Sequence, residues 1–248
     1  MMKFGLIGKT LKHSFSKKFF DEKFSKEGLD NSYELYEIDD ISKLKELISR
    51  DKLLRGLNVT IPYKELVIPL LDKIEDGARE IGAVNTIKIF WIGENSDKMF
   101  LEGYNTDAKA FQQSLSAYLT GKEKRALILG TGGASKAVAY SLKNLGISFD
   151  FVSREGIKGM KYEDLDEQIM AKYQIIVNAT PIGTYPNVES FPAIPYQFLN
   201  SSHLLYDLVY NPEETEFMKR GKVQGARTTN GLKMLYLQAE ASWKIWNS

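Results

Sequence analysis

The chain contains no cysteine and only two histidines, His13 and His203, among its 248 residues. The absence of cysteine excludes disulfide bonds, thiolate nucleophiles and cysteine-ligated metal sites, and it is consistent with a reducing compartment. A histidine-rich metal site is also not expected with so few ligands. We therefore expect no bound metal.

An excess of one charge and long apolar runs are missing as well. Thirty-three Lys and Arg residues oppose 32 Asp and Glu residues, so the formal net charge is +1, which gives no reason to expect a nucleic-acid or membrane partner. No segment approaches the roughly 18 apolar residues of a membrane span, and the apolar part of the N-terminus is too short for a signal peptide. We therefore expect a soluble cytoplasmic protein.

The most informative stretch is a glycine-rich turn in the middle of the chain. The apolar run Ala126 to Leu129 leads into Gly130-Thr131-Gly132-Gly133-Ala134, and helix-forming residues follow from Ser135 to Leu145. This order predicts a buried strand, a tight turn and a helix whose free N–H groups bind a pyrophosphate. Because Ser135 stands where a third glycine is usual, a glycine-rich turn that binds no nucleotide is the alternative.

The rest of the chain alternates between strand and helix patterns, which predicts an α/β fold with parallel pairing. We expect two domains, a first one over residues 1–105 that is completed by a final helix over 231–248, and a Rossmann-like nucleotide-binding one over 106–230. In the first domain, the patterns predict strands at Lys3–Ile7, Tyr33–Ile38, Gly56–Val59, Ala83–Phe90 and Lys98–Glu102, and helices at Ser16–Glu27, Ile41–Ser49 and Tyr63–Leu71. In the second, they predict a helix at Thr106–Leu119 and, after the glycine turn, strands at Phe149–Ser153, Ile175–Asn178, Leu204–Leu208 and near Ala226–Thr228.

Polar side chains follow several predicted strands, where open α/β sheets bind ligands. Ser14 and Ser16 come after the first strand and can donate hydroxyl hydrogen bonds to one carboxylate, although Ser16 as a helix N-cap and Ser14 as a solvated loop residue is the more ordinary interpretation. Thr60 and Lys64 lie at the end of another strand. A lysine that faces a closed cleft loses hydration, so its pKa falls and it can exchange a proton near neutral pH.

Asp107 starts the helix that is expected to join the domains, in Gly103-Tyr-Asn-Thr-Asp107. Capping explains these residue types, but the helix dipole also keeps Asp107 ionised as a partner for a protonated Lys64. Proton transfer then falls to Lys64, and orientation or charge pairing to Asp107. Asn85 in Gly82-Ala-Val-Asn-Thr86 is either a ligand of substrate hydroxyls or a buried structural asparagine.

The end of the second strand of the nucleotide unit bears on the choice of cofactor. Ser153 and Arg154, with Lys158 nearby, suit a 2′-phosphate and favour NADP. Glu155 opposes this, since a carboxylate repels a phosphate and suits the ribose hydroxyls of NAD.

In combination, these segments resemble the shikimate dehydrogenase family over nearly the whole chain. The motifs that carry the resemblance are HS-x-S (13–16), NVTIPYK (58–64), AVNT (83–86), GYNTD (103–107), GTGGAS (130–135), NATPIG (178–183), DLVYNPEET (207–215) and NGLKMLYLQA (230–239). The sequence departs from the family pattern at Thr10, Lys17 and Phe20, which are usually proline, proline and histidine, and at Ser153-Arg154-Glu155, which is usually Asn-Arg-Thr. None of these departures removes a catalytic group.

The resemblance implies a small-molecule substrate and reversible, NADP-dependent reduction of 3-dehydroshikimate to shikimate in aromatic amino acid biosynthesis, by a monomer or homodimer. It implies catalysis by Lys64 and Asp107. The residues implied to bind substrate are Ser14, Ser16, Thr60, Asn85, Asp107, Tyr210 and Gln238, and those implied to bind cofactor are Gly130, Thr131, Gly132, Gly133, Ala134, Ser153, Arg154, Lys158, Thr180, Val209 and Gly231.

Three alternatives stay open from sequence. A quinate/shikimate dehydrogenase that uses NAD has the same architecture, and a nucleotide-sensing homologue keeps the fold without catalysis. A methyltransferase that binds S-adenosylmethionine at the glycine turn is weakened by Arg154, since an acidic residue is expected at that position.

Overall fold

The computed structural model describes residues 1–11, 14–93, 98–156 and 159–248 of the chain. These residues form two compact units, one of Met1–Thr106 with Ala239–Ser248, and one of Asp107–Gln238. The boundary near the C-terminus falls within the last helix. No helix among the described residues has the length and apolar character needed to cross a membrane.

The first unit is built on a mixed six-stranded sheet whose order is β2-β1-β3-β5-β6-β4. Strands β1, β2 and β3 pair in parallel, as the alternation predicts, while β5 pairs antiparallel with both β3 and β6. The elements in chain order are β1 (Met2–Gly8), α1 (Phe15–Glu27), β2 (Asn31–Glu37), α2 (Leu44–Ser49), β3 (Leu54–Val59), α3 (Tyr63–Leu66), β4 (Lys73–Ile74), α4 (Asp76–Ile81), β5 (Thr86–Ile92) and β6 (Lys98–Tyr104).

Two predicted helices of this unit are shorter than the patterns suggested. The helix predicted over Ile41–Ser49 begins as the 3₁₀ turn Ile41–Lys43, and the one predicted over Tyr63–Leu71 ends at Leu66 and continues as the 3₁₀ turn Ile68–Leu70. Pro69 explains the second break, because proline has no N–H for the helical ladder. Helix α4 and strand β4 were not predicted.

Hydrophobic packing covers both faces of the first sheet. On one face Phe4 packs in a cluster with Phe20 of α1 and Trp246 near the C-terminus, while Ile7 belongs to a second cluster with Leu44 and Ile48 of α2. This division follows the two-residue period of a strand. The sheet is therefore buried between helices on both sides.

The second unit is a six-stranded sheet of order β12-β11-β10-β7-β8-β9, and all of its described pairings are parallel. Counted from β7, this is the 3-2-1-4-5-6 order of a doubly wound dinucleotide fold. Its elements are α5 (Asp107–Ser116), β7 (Arg125–Leu129), α6 (Gly133–Asn144), β8 (Ser148–Ser153), β9 (Gly159–Lys161), α7 (Glu167–Met170), β10 (Ile175–Asn178), β11 (Leu204–Asp207), α8 (Glu216–Val223), β12 (Arg227–Thr229) and α9 (Leu232–Trp246).

The central strand β7 also buries both faces. Ala126 and Ile128 pack in one cluster with Phe111 of α5, whereas Leu127 and Leu129 pack in the other with Phe217 of α8. Strand order reverses between β7 and β10, the switch point where such sheets bind ligands. The predicted α/β class with a Rossmann-like unit is confirmed.

Candidate functional site

The glycine-rich turn lies at the switch point of the second sheet. Gly130 directly follows β7 and has a φ of +104°, and a Cβ built on it would lie 2.9 Å from Cγ2 of Thr180. Thr180 itself follows β10, so two of the predicted cofactor residues lie side by side. Gly132 caps the start of α6, and nothing lies within 4 Å of a Cβ built there. The turn therefore leaves open space at a helix N-terminus, as anion binding requires.

Ser135 stands where a third glycine is usual, and it does not push the helix away from the strand. It is completely buried in the first turn of α6, and its Oγ lies 3.4 Å from the position of a Cβ on Gly130. Helix and strand therefore still approach closely, because a serine side chain is small enough to fit beneath the turn. The hydroxyl of Ser135 is buried and has no hydrogen-bond partner among the described residues.

Strand β8 ends at the residues predicted to select the cofactor. The Oγ of Ser153 is buried and has no hydrogen-bond partner within the described part of the chain. Arg154 and Glu155 follow and are both exposed. Burial raises the pKa of Tyr162 and the positive charge of Arg154 opposes that rise, so the guanidinium lies within electrostatic reach of this ring. Lys158, the other predicted cation, lies outside the described residues.

The ends of β11 and β12 bring three more predicted residues together. Val209 is buried two residues after β11, and its carbonyl accepts a hydrogen bond from the N–H of Gly231 at 3.2 Å. A Cβ on Gly231 would lie 2.3 Å from the carbonyl oxygen of Leu208, so only glycine allows this approach. Tyr210 follows Val209 and is half-buried.

In the first unit, the two candidate carboxylate ligands lie at the start of α1. Ser14 is the N-cap residue, but its side chain makes no cap hydrogen bond, and its Oγ is buried with no partner among the described residues. Ser16 is 8% exposed and hydrogen-bonds Tyr33, whose pKa is raised well above its usual value by burial, an effect that this bond opposes. The interpretation of Ser16 as the N-cap and of Ser14 as a solvated loop residue is therefore wrong. His13 of the same motif lies outside the described residues.

Lys64 lies in the short helix α3, and backbone hydrogen bonds join this helix and the residues before it to β1 and to the segment that precedes β5. The N–H of Thr60 donates to the carbonyl of Ile7 at 3.0 Å, and the N–H of Val84 donates to the carbonyl of Lys64 at 2.7 Å. Both Thr60 and Lys64 are half-buried. The backbone of α3 is thus fixed on two sides.

Asn85 belongs to a buried polar network rather than standing alone. Its Oδ1 accepts from the N–H of Thr106 at 2.8 Å, and its Nδ2 donates to Oγ1 of Thr106 at 2.9 Å. Thr86 continues the network to Ser242 of α9, with the two hydroxyl oxygens 2.8 Å apart. Asn85 therefore has a structural role in this network, and the second hydrogen of its Nδ2 is the group left for a ligand.

Sequence reasoning missed two members of this network. Asn58 donates from Nδ2 to Oγ of Ser242 at 2.9 Å, and its Oδ1 accepts from the hydroxyl of Tyr33 at 2.8 Å. Both Asn58 and Ser242 are buried. Each is a polar residue within an apolar pattern, Asn58 in strand β3 and Ser242 on the apolar side of α9, and that contrast was the available signal.

Two further predicted residues, Asp107 and Gln238, belong to the second compact unit. Asp107 is the first residue of α5 and is 5% exposed. Gln238 is 8% exposed, and its Nε2 donates to the carbonyl of Leu235 at 3.0 Å. Asp107 directly follows Thr106, whose N–H donates to Oδ1 of Asn85.

Comparison with known proteins assigns these features to a family. A model of the shikimate dehydrogenase substrate binding domain matches residues 6–87. A relative from Caldicellulosiruptor saccharolyticus, named shikimate dehydrogenase (NADP(+)), is 38% identical, and the match covers 99% of this chain and 92% of the relative. The chain belongs to the shikimate dehydrogenase family.

Solved structures of this family extend the likeness to the whole fold. Shikimate dehydrogenase 1 from Peptoclostridium difficile is 40% identical, with a TM-score of 0.85, and the match covers 100% of this chain and 92% of that one. Quinate dehydrogenase from Corynebacterium glutamicum, solved in complex with NAD, is 26% identical, with a TM-score of 0.86, and the match covers 99% of this chain and 93% of that one. The fold is thus the one that both enzymes share, and it does not by itself choose between their substrates.

Proposed function

We propose that this chain is an NADP-dependent shikimate dehydrogenase that catalyses the reversible reduction of 3-dehydroshikimate to shikimate. The observation that carries the proposal is the nearly full-length similarity to a curated enzyme of that name. Lys64 and Asp107, the catalytic pair that the resemblance implies, are both present, which argues against a nucleotide-sensing homologue without catalysis.

The residues of the second unit fit NADP. The open turn at Gly130 and Gly132 leads into the N-terminus of α6 and suits the pyrophosphate. The buried Ser153 hydroxyl has no partner among the described residues, and with the exposed Arg154 it supplies donors for a 2′-phosphate. In the proposal, the phosphate-binding end of the site is completed by Thr131, Gly133, Ala134 and Lys158. The nicotinamide end is held by Thr180, Val209 and Gly231. When bound, NADPH supplies the hydride.

The substrate residues are assigned to the first unit and to the start and end of the second. The hydroxyl of Ser14 is buried and has no partner among the described residues, and it has the character of a ligand group, since such groups are costly unless something binds them. In the proposal Ser14 and Ser16 bind the carboxylate. In the proposal, the side chains that bind hydroxyl groups are Thr60, Asn85, Asp107 and Gln238, and Tyr210 is a further substrate ligand.

Lys64 performs the proton transfer in this proposal. Reduction of the ketone places negative charge on its oxygen, and the Lys64 ammonium both donates the proton and stabilises the developing charge. Asp107 is the charged partner that the resemblance implies for Lys64. In the oxidation direction the neutral amine of Lys64 takes the proton from the alcohol.

The proposed setting is aromatic amino acid biosynthesis in the cytoplasm, with a small-molecule substrate and without a nucleic-acid partner. The protein acts as a monomer or a homodimer. Size-exclusion chromatography with light scattering distinguishes these two states.

A second candidate function is quinate oxidation with NAD. It is favoured by the exposed carboxylate of Glu155, which sits at the end of β8 where NAD-binding folds place an acidic residue.

Initial rates with shikimate and quinate, each with NADP and NAD, test the two candidates together. The proposal predicts the highest kcat/KM for shikimate with NADP. A higher value for quinate with NAD would replace it by the second candidate.

A further inference from the structure

Three buried polar side chains meet where β10 and β11 end, and no step of the proposed reaction uses them. Asn178 is the last residue of β10, Asp207 is the last of β11, and Thr215 is the N-cap of α8. All three are completely buried. Asp207 is an acid, and its hydrogen bonds come from neutral groups, which is an expensive arrangement for a carboxylate.

Asp207 is the centre of this cluster. Its Oδ1 accepts from Nδ2 of Asn178 at 2.9 Å and from the backbone N–H of Val209 at 3.0 Å. Its Oδ2 accepts from Oγ1 of Thr215 at 2.6 Å. Burial raises the pKa of Asp207 to about 6, although these three hydrogen bonds oppose that rise.

Asn178 extends the cluster to the next loop. Its Oδ1 accepts from the backbone N–H of Thr180 at 3.1 Å and from the Thr180 hydroxyl at 2.6 Å. Its Nδ2 also donates to the carbonyl of Ile182 at 3.2 Å. The Asn178 side chain therefore fixes the conformation of the loop that carries Thr180.

The cluster reaches both loops that carry the proposed nicotinamide contacts. The Asn178 side chain holds Thr180, which lies against Gly130. Oδ1 of Asp207 holds Val209, whose carbonyl bonds to Gly231. The carboxylate is thus a single acceptor that ties the loop after β10 to the loop after β11. Thr215 fixes the other oxygen of that acceptor and also caps α8.

We propose that Asp207 is a positioning residue that sets the nicotinamide end of the cofactor site by holding the loops of Thr180 and Val209 in register. This inference rests on the proposed function, because it takes those two residues as nicotinamide contacts. It concerns the nicotinamide end, since the cluster makes no hydrogen bond to Ser153 or to the glycine turn among the described residues, although Thr180 packs against Gly130 of that turn.

The test compares two ligands that share the adenosine 2′-phosphate. NADP carries a nicotinamide, whereas 2′,5′-ADP does not, and calorimetric titration gives the Kd of each for the wild-type protein and the variants. Thr215→Val removes the hydroxyl that fixes Asp207 Oδ2 while it keeps the side-chain shape, and Thr215→Ser keeps the hydroxyl. Asp207→Ala removes all three contacts at once.

We expect Thr215→Val and Asp207→Ala to weaken NADP binding about tenfold or more, the scale of losing a hydrogen bond to a charged group. Binding of 2′,5′-ADP should stay within about twofold, and Thr215→Ser should keep the wild-type Kd for both ligands. The unchanged 2′,5′-ADP affinity also shows that each variant is folded.

Variants that lose affinity for both ligands equally would overturn the inference, because the cluster would then only stabilise the fold. Variants that keep the wild-type NADP affinity would overturn it too. A wild-type protein that binds neither NADP nor 2′,5′-ADP would overturn the proposed function together with this inference, so the two failures are distinguishable.

Discussion

The hydroxyl of Ser14 is buried at the start of α1 and makes no hydrogen bond to the described residues. Within the described part of the chain, folding removes this hydroxyl from water without a compensating hydrogen bond, which costs about 1–3 kcal/mol. A substrate carboxylate would supply the missing partner. In the proposal, the Ser14 hydroxyl therefore lowers the stability of the ligand-free protein and strengthens the binding of the substrate.

We expect Ser14→Ala to raise the KM for shikimate about ten- to hundredfold with little change in kcat, as for a hydrogen bond made equally in ground and transition states. The same change should leave the melting temperature of the ligand-free protein unchanged or higher. Ser25→Ala, at an exposed serine of the same helix, is the matched control. A lower kcat with an unchanged KM would show that Ser14 does not bind the substrate ground state.

Glu123 differs from Ser14, because hydrogen bonds compensate for the burial of its carboxylate. Burial alone would raise its pKa, but hydrogen bonds from the backbone N–H groups of Glu123 and Thr120 and from the side chains of Arg227 and Thr120 outweigh burial and lower the pKa from 4.5 to about 2. A carboxyl with a lowered folded-state pKa adds stability above its unfolded pKa and loses it as the pH falls through the folded one. The window therefore runs from 4.5 down to about 2.

Glu123→Gln should lower the free energy of unfolding at neutral pH by about 2 kcal/mol, and this difference should shrink as the pH falls through that window. Denaturant unfolding of both proteins at neutral pH and at about pH 3 measures it. Glu22→Gln, at an exposed residue of α1, is the control and should show no such pH dependence. A deficit that stays constant over the window would contradict the assigned role of the charge.

At the residue scale, the sequence predicts candidate side chains from their positions, but it does not predict how the structure holds them. Ser14, Lys64 and Ser153 follow strand ends and could be selected by that position alone. Asn85 could not be decided, because it bonds to Thr106 after β6 and to Thr86, which in turn bonds to Ser242 in α9. Such contacts depend on tertiary packing and leave no local pattern.

The turn that joins β7 to α6 contains two glycines, Gly130 and Gly132, that differ in conformation and surroundings. Gly130 has a positive φ and a close neighbour in Thr180, whereas Gly132 has a φ of −82° and open space around its Cβ position. We therefore expect Gly130 to be required for folding of the turn and Gly132 for the approach of the proposed cofactor.

Gly130→Ala should lower the free energy of unfolding by about 1–3 kcal/mol, since alanine is strained at this φ and its Cβ meets Thr180. Gly132→Ala should leave stability within about 0.5 kcal/mol and raise the KM for NADP, because the added methyl occupies the space proposed for the pyrophosphate. Denaturant unfolding and steady-state kinetics on both variants measure these effects. Gly132→Ala with a wild-type KM for NADP would remove the turn from the cofactor site.

Elements with clear periodicity were predicted closely, and the differences have local causes. Strand β10 was predicted at its observed bounds, because its apolar run is bounded by polar residues. Strand β4 has only two residues and α4 only six, too short for a periodic pattern. The parallel pairing expected from alternation does not extend to the pair formed by β5 and β6, because the chain between these neighbouring strands is short and a parallel pair needs a crossover of about a dozen residues or more.

At the scale of the whole molecule, the second sheet could be predicted in type because its strands are buried on both faces and follow one another through helices. The first sheet is mixed, and α9 contributes residues to both compact units. The boundary within α9 could not be predicted from one amphipathic pattern that continues unbroken along the helix. The family relationship agrees with this architecture along the full chain.

The central claim is that this chain transfers hydride between NADP and shikimate with Lys64 as the proton-transfer group. The direct measurement is the formation of NADPH from NADP and shikimate, followed by absorbance for the wild-type protein, for Lys64→Ala and for the control Lys18→Ala at an exposed lysine of α1. We predict shikimate-dependent NADPH formation by the wild type and the control, and a kcat about 10²- to 10⁴-fold lower for Lys64→Ala. No shikimate-dependent NADPH formation by the wild type, or a near-wild-type kcat for Lys64→Ala, would contradict the account.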